Sequence, residues 1–188
     1  MPSPTLLLTS FRTWKPEQSS NASDDLLLDV SSRYPHRSHL KLLRQIPVDF
    51  QLAPDRVIKA IRTHPPDAII CCGMGETRSH LCIEDRATHD THIRYTGVNV
   101  NRLVSGLPMT RISHDAGQFV CNRLYFEVLD YLQRHGPERP CLFVHVPVLT
   151  TDNQDAIAAD FHSIILRMQM LVSRTVPRPI HLFKPLPA

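Results

Sequence analysis

The chain has 188 residues, 42% of them apolar and 21% charged, with a formal net charge of +3. A chain of this size buries roughly 70% of the surface it exposes when unfolded, so a core needs no disulfide or metal staple. The balance excludes a disordered chain, a collagen-like repeat and a coiled coil, and the scattered basic residues form no run that would track nucleic acid.

No window approaches 18 apolar residues, so no membrane span is predicted. Met1-Pro2-Ser3-Pro4 carries no basic residue, and Leu6–Leu8 is too short for a signal core. The five cysteines are an odd number in a chain that needs no staples, and they are expected as reduced thiols in a cytosol.

In chain order, Thr5–Thr9 is a short apolar run and reads as a buried first strand. Arg12–Ser23 is polar and reads as a loop, with Asn21 to Asp24 placed to cap a short helix through Val30. His39–Val48 alternates loosely and is a second strand candidate. Pro54–His64 carries Val57, Ile58 and Ile61 at helical spacing. Asp67–Cys72 follows Pro65-Pro66 as a compact apolar run; helix then buried strand marks an α/β unit.

His80–Ala87 alternates and reads as one strand, and Asp90–Leu107 as loop with a short strand. Ala116–Arg134 is the clearest helix: Val120, Leu124, Val128 and Leu132 recur every four residues, with Ser113 or Asp115 as its cap. Cys141–Val146 reads as a central strand and Asp152–Val172 as a long amphipathic helix whose apolar residues face the sheet. Its outer face is a surface on which a second copy could pack, making a homo-oligomer. Residues 175–188 hold four prolines and read as a C-terminal extension. The alternation predicts an α/β fold over residues 1–188: a single-domain three-layer α/β/α sandwich around a twisted, mostly parallel central sheet.

Three residues stand out chemically. Cys121 falls in the first turn of the clearest helix, where the partial positive charge of the helix end favours thiolate and free N–H groups can hold an oxyanion. It also shares a face with Leu124, Tyr125, Val128 and Leu132, as a core cysteine would. His145 interrupts an apolar strand near its carboxyl end, suited to a general base or to a core histidine bonded to a carbonyl. Glu84 follows Leu81-Cys82-Ile83 in a strand-like stretch. There it can orient a histidine, or be an acid that faces solvent or pairs with Arg86.

These residues lie in segments that resemble a known family. Ser113-His114-Asp115-Ala116-Gly117-Gln118-Phe119-Val120-Cys121-Asn122 is similar to the nucleophile motif of the pyroglutamyl peptidase I family, cysteine peptidases that remove an N-terminal pyroglutamate. Phe143-Val144-His145-Val146-Pro147 resembles the segment around that family's catalytic His. Pro66 to Ile70, Gly73, Arg78 and Ile83-Glu84 resemble the stretch that ends in its catalytic Glu. Thr9-Ser10-Phe11 and Trp14 resemble its opening loop.

The resemblance implies a catalytic Cys121, His145 and Glu84 working through a thioester, with an oxyanion held by the Cys121 N–H and by Arg78 or its backbone. It implies a pocket for the lactam ring formed by Phe11, Trp14, Met74 and Arg78. It implies no metal or cofactor, and a peptide with N-terminal pyroglutamate as partner, with neither nucleic acid nor membrane. Four departures are visible. Ser10-Phe11-Arg12-Thr13-Trp14-Lys15-Pro16 lacks the glycines of the family's opening loop, and its Trp is larger than the usual Phe. Glu76-Thr77-Arg78 stands for Gly-Gly-Arg, Asp85 follows the acid where the family has Arg, and the stretch from Glu84 to Cys121 is shorter than usual.

Two other function classes compete. One is a family member that is catalytically idle, or altered in specificity, and acts as a binding protein. The other is a zinc module built from His89, His92, Cys71, Cys72, Cys82 and His114, whose spacings match no standard pattern.

Overall fold

The computed structural model describes residues 4–33, 37–135 and 139–175. Six strands form the main sheet: β1 (Leu6–Phe11), β2 (Leu40–Ile46), β3 (Ala68–Met74), β4 (Leu81–Glu84), β7 (Thr110–Ser113) and β8 (Cys141–Val146). Their order is β2-β1-β3-β8-β4-β7, parallel throughout except where β4 meets β8. A two-stranded antiparallel hairpin, β5 (Arg86–His89) and β6 (His92–Tyr95), stands apart from it.

Strands covered on both faces are apolar on both, and β3 and β8 are buried almost throughout. Leu8, Ile70, Cys72, Leu142 and Val144 meet α1 (Ala22–Arg33), α3 (Val100–Val104) and α5 (Gln154–Thr175) on one face. Leu7, Ile69, Cys71, Cys141 and Phe143 meet α2 (Leu52–Thr63) and α4 (Val120–His135) on the other. The expected three-layer α/β/α arrangement with a mostly parallel sheet is what forms.

Several boundaries differ from expectation. His80–Ala87 is two strands, because the chain leaves the main sheet at Asp85, whose N–H donates to the Ser113 carbonyl (3.0 Å) and whose carbonyl accepts from Thr96. The stretch taken as loop contains α3, capped by the Asn99 side chain, which accepts from the Arg102 N–H. β7 has only four residues, too few to declare a period. The nucleophile helix begins at Val120 rather than Ala116, and neither Ser113 nor Asp115 caps it. Gly117 has φ +81°, a left-handed conformation that stops the helix from extending earlier, and the Asp115 carboxylate accepts from the Gly117 N–H instead (2.9 Å). The Pro-rich stretch beyond Thr175 lies outside the described residues. Among the described residues no helix is long and apolar enough to cross a membrane.

The edge of the sheet beside the site is fixed by one buried carboxylate. Gln45 has φ 55°, and the β1–β2 register shifts there. That bulge lets consecutive residues reach one acid: Arg44 donates twice to Asp24 (2.8 and 2.7 Å) and Gln45 once (3.1 Å). The Ser10 hydroxyl donates to it as well (2.6 Å). Burial works against the Asp24 charge, but these donors outweigh it and hold the carboxyl below its ordinary value. A depressed native pKa adds stability that is present above the unfolded value and is lost as pH falls through the native one. Asp24→Asn is therefore expected to cost about 2 kcal/mol at neutral pH and much less near pH 2. Urea unfolding of both proteins at the two pH values measures the difference.

Candidate active site

Strand alternation assembles the site. β4 pairs with β8 so that Cys82 faces His145 and Glu84 faces Phe143, which puts all four side chains on one side of the sheet. Glu84 and His145 are diagonal neighbours there, within reach of two long side chains. The His145 Nδ1 to Glu84 Oε1 distance is 2.7 Å, and both groups are buried. A carboxylate only accepts, so this bond fixes the proton on Nδ1 and leaves Nε2 free as an acceptor. Phe143 holds the imidazole from behind, with ring centroids 4.9 Å apart. The Tyr125 hydroxyl donates to the Glu84 carbonyl (3.1 Å), and Glu84 Oε2 has no hydrogen-bond partner.

β3 supplies the floor. Gly73 pairs in register with His145. A Cβ on Gly73 would lie 2.6 Å from Cys121 Sγ, so the sulfur rests on the bare backbone of that residue. Gly73 lies on the strand next to the one that carries His145. Cys121 is the second residue of α4, where the N–H groups have no partner within the helix.

The helix end does not dominate the thiol. Burial pushes Cys121 up to about 12, the buried Glu84 carboxylate pushes the same way, and its own backbone N–H pulls only weakly against them. The resting group is a neutral thiol, the reverse of the thiolate that the helix end alone predicts.

The predicted ring-binding residues come together, with one exception. Phe11, Trp14 and Met74 line a recess with Val48, Phe119 and Cys121. It is a narrow, mostly apolar recess of about 40 Å³. The Met74 sulfur also accepts from the Ala22 N–H at the start of α1 (3.4 Å). Arg78 lies elsewhere. Its guanidinium donates to the Ser113 hydroxyl and the Asp115 carbonyl (3.4 and 3.0 Å) and stands 3.9 Å from Glu84 Oε1. Its backbone N–H donates to the Gly75 carbonyl (2.9 Å).

Sequence reasoning missed two participants. Phe119 walls the recess, 6.5 Å from Trp14 and 5.6 Å from Phe50 between ring centroids. Its signal was an aromatic two residues before the thiol in a polar stretch. Asn122 binds the hairpin onto α4: its side chain accepts from the Thr88 N–H (2.9 Å) and donates to the Thr88 carbonyl (2.7 Å). The residues of the zinc alternative stay dispersed. His89 meets Arg123 and His114 meets Asp85, and among the described residues no three His, Cys, Asp or Glu side chains group to hold a metal.

A sequence model of pyroglutamyl peptidase matches residues 100–176. The pyrrolidone-carboxylate peptidase of Bacillus subtilis is 28% identical over 141 residues, 61% of this chain and 65% of that protein. That of Vibrio vulnificus is 28% identical over 197 residues, 88% of this chain and 91% of its own. The match to the Bacillus relatives thus spans somewhat under two thirds of their length. Among solved structures, pyroglutamyl peptidase I of Bacillus amyloliquefaciens superposes with a TM-score of 0.77 at 20% identity, over 89% of this chain and 96% of that one. The pyrrolidone carboxyl peptidase of Pyrococcus furiosus gives 0.76 at 17% identity, over 89% and 99%. At such identities these likenesses speak for the fold.

Proposed function

We propose that this chain is a member of the pyroglutamyl peptidase family, a cysteine exopeptidase that removes an N-terminal pyroglutamyl residue from peptides. The observation that carries this reading is the buried His145–Glu84 bond on the same sheet face as the sulfur of Cys121.

The proposed roles are these. His145 Nε2 takes the thiol proton, and the sulfur attacks the pyroglutamyl carbonyl carbon. Glu84, short of one partner, balances the imidazolium that results. The oxyanion sits at the N-terminus of α4, served by the Cys121 N–H. His145 returns the proton to the leaving nitrogen, the C–N bond breaks, and water hydrolyses the thioester. A thiol that is neutral at rest suits this sequence, because proton transfer to His145 then accompanies attack. Phe11, Trp14, Met74 and Phe119 border the small lactam ring.

The test is release of a coumarin fluorophore from its pyroglutamyl amide, beside the prolyl amide, which lacks the lactam carbonyl. Hydrolysis of the first at least about 100-fold faster than the second is expected. A folded, reduced protein that cleaves neither sinks the proposal.

A further inference from the structure

One set of contacts near the recess has no part in that chemistry. Glu76 lies in the turn after β3, two residues beyond Met74, and both its oxygens are engaged by the loop that carries Trp14. Lys15 Nζ lies 2.5 Å from Oε2, and Gln18 Nε2 donates to Oε1 (2.7 Å). The other end of the Gln18 amide accepts from the backbone N–H groups of Trp14 and Lys15 (3.1 and 3.3 Å). The Lys15 ammonium stands 5.5 Å from the Trp14 ring centroid. The turn itself is anchored to the sheet, because the Gly75 N–H donates to the Val146 carbonyl (2.8 Å). Hydrogen bonds from Lys15 and Gln18 hold the Glu76 carboxyl below its ordinary value.

Trp14 and Met74 are two walls of one recess, Trp14 on the loop after β1 and Met74 at the end of β3, where the turn that carries Glu76 begins. Glu76 ties that loop to that turn, so it sets how far apart the walls stand.

We propose that Glu76 is a specificity-determining positioning residue that holds the Trp14 loop shut and so limits the acyl pocket to a small ring. A ring too large for the recess can enter only by pushing the Trp14 loop outward. The latch resists that movement, and resists it more for a larger ring. This substrate assignment rests on the pyroglutamyl reading above; the latch itself does not.

Trp14 is the only tryptophan in the chain, so its fluorescence reports on the latch without any turnover. In Glu76→Ala and Lys15→Met its emission should move to the red and acrylamide quenching should rise about twofold, while Lys15→Arg stays like wild type. About 1 M NaCl should do the same to wild type, because the ion pair is half-exposed and screened, and should do little to Glu76→Ala.

The second readout is selectivity between the pyroglutamyl amide and its six-membered lactam homologue. One methylene is worth about 10- to 200-fold in a fitted pocket. In Glu76→Ala, kcat/KM for the larger ring should rise about tenfold and for the smaller ring no more than about threefold, mainly through KM. Unchanged Trp14 accessibility in both variants overturns the latch. Changed accessibility with an unchanged selectivity ratio overturns the specificity role. If wild type cleaves neither amide, the pyroglutamyl reading fails and takes the specificity role with it, while the latch is still decided by Trp14.

Discussion

Cys121→Ala is expected to lower hydrolysis of the pyroglutamyl amide by on the order of 10⁴-fold or more, with KM and melting temperature little changed. The sulfur is the atom that bonds to the acyl group, and what remains without it is binding and the helix N-terminus. The side chain is small, so its loss leaves a small cavity and costs little stability. Cys121→Ser should be nearly as inactive, because a hydroxyl is harder to deprotonate than the thiol and makes a poorer nucleophile. The raised thiol also sets the sign of a pH effect in the free enzyme. Moved up to about 12, it deprotonates later than an ordinary cysteine. Alkylation of Cys121 by iodoacetamide should therefore keep rising with pH above 9 rather than level off near neutrality. Loss of activity in the alanine variant, read with a fluorogenic amide, locates the nucleophile; retained activity removes Cys121 from the chemistry.

The same residue shows where sequence reasoning reaches its limit. The strands were legible because β1, β3 and β8 are buried on both faces and read as unbroken apolar runs. Helix α4 was legible from its apolar repeat, but not its first residue, which depends on the φ of Gly117. The partnership of His145 with Glu84 was predicted as chemistry. What brings them together is the one antiparallel pairing of the sheet, β4 against β8, and a diagonal register that single-strand patterns do not encode. The helix-end effect on Cys121 is local, whereas the burial that pushes its thiol up is tertiary. The resemblance puts Arg78 at the pocket; the turn at Gly75 sends its guanidinium towards Glu84 instead. Asp85 and Arg86 look like a continuing strand, yet Asp85 forms an ion pair with Arg86 and a hydrogen bond with His114 where the chain changes sheets.

Gly73→Ala should be as informative as removing the thiol. The added methyl would lie 2.6 Å from Cys121 Sγ and 2.9 Å from Phe143 Cζ, closer than such atoms come without something moving. Phe143 cannot be the one to move. It is fully buried between Tyr125 and His145, with ring centroids 5.7 and 4.9 Å away. The sulfur, or the start of α4, must shift outward. Overpacking of this kind costs about 1–3 kcal/mol, or between roughly 2 and 12 °C in melting temperature for a chain of this length. The effect on turnover is larger, because a displacement near 1 Å between nucleophile and base is worth about 100-fold in rate. The expected result is a folded protein with kcat down about 100-fold or more and KM changed far less. Gly97→Ala is the control, since a Cβ there meets nothing within 4 Å, and it should leave both numbers alone. Full activity in Gly73→Ala would mean that the sulfur reacts from a position off the Gly73 backbone, and the geometry assigned to the His145–Cys121 pair would have to be abandoned.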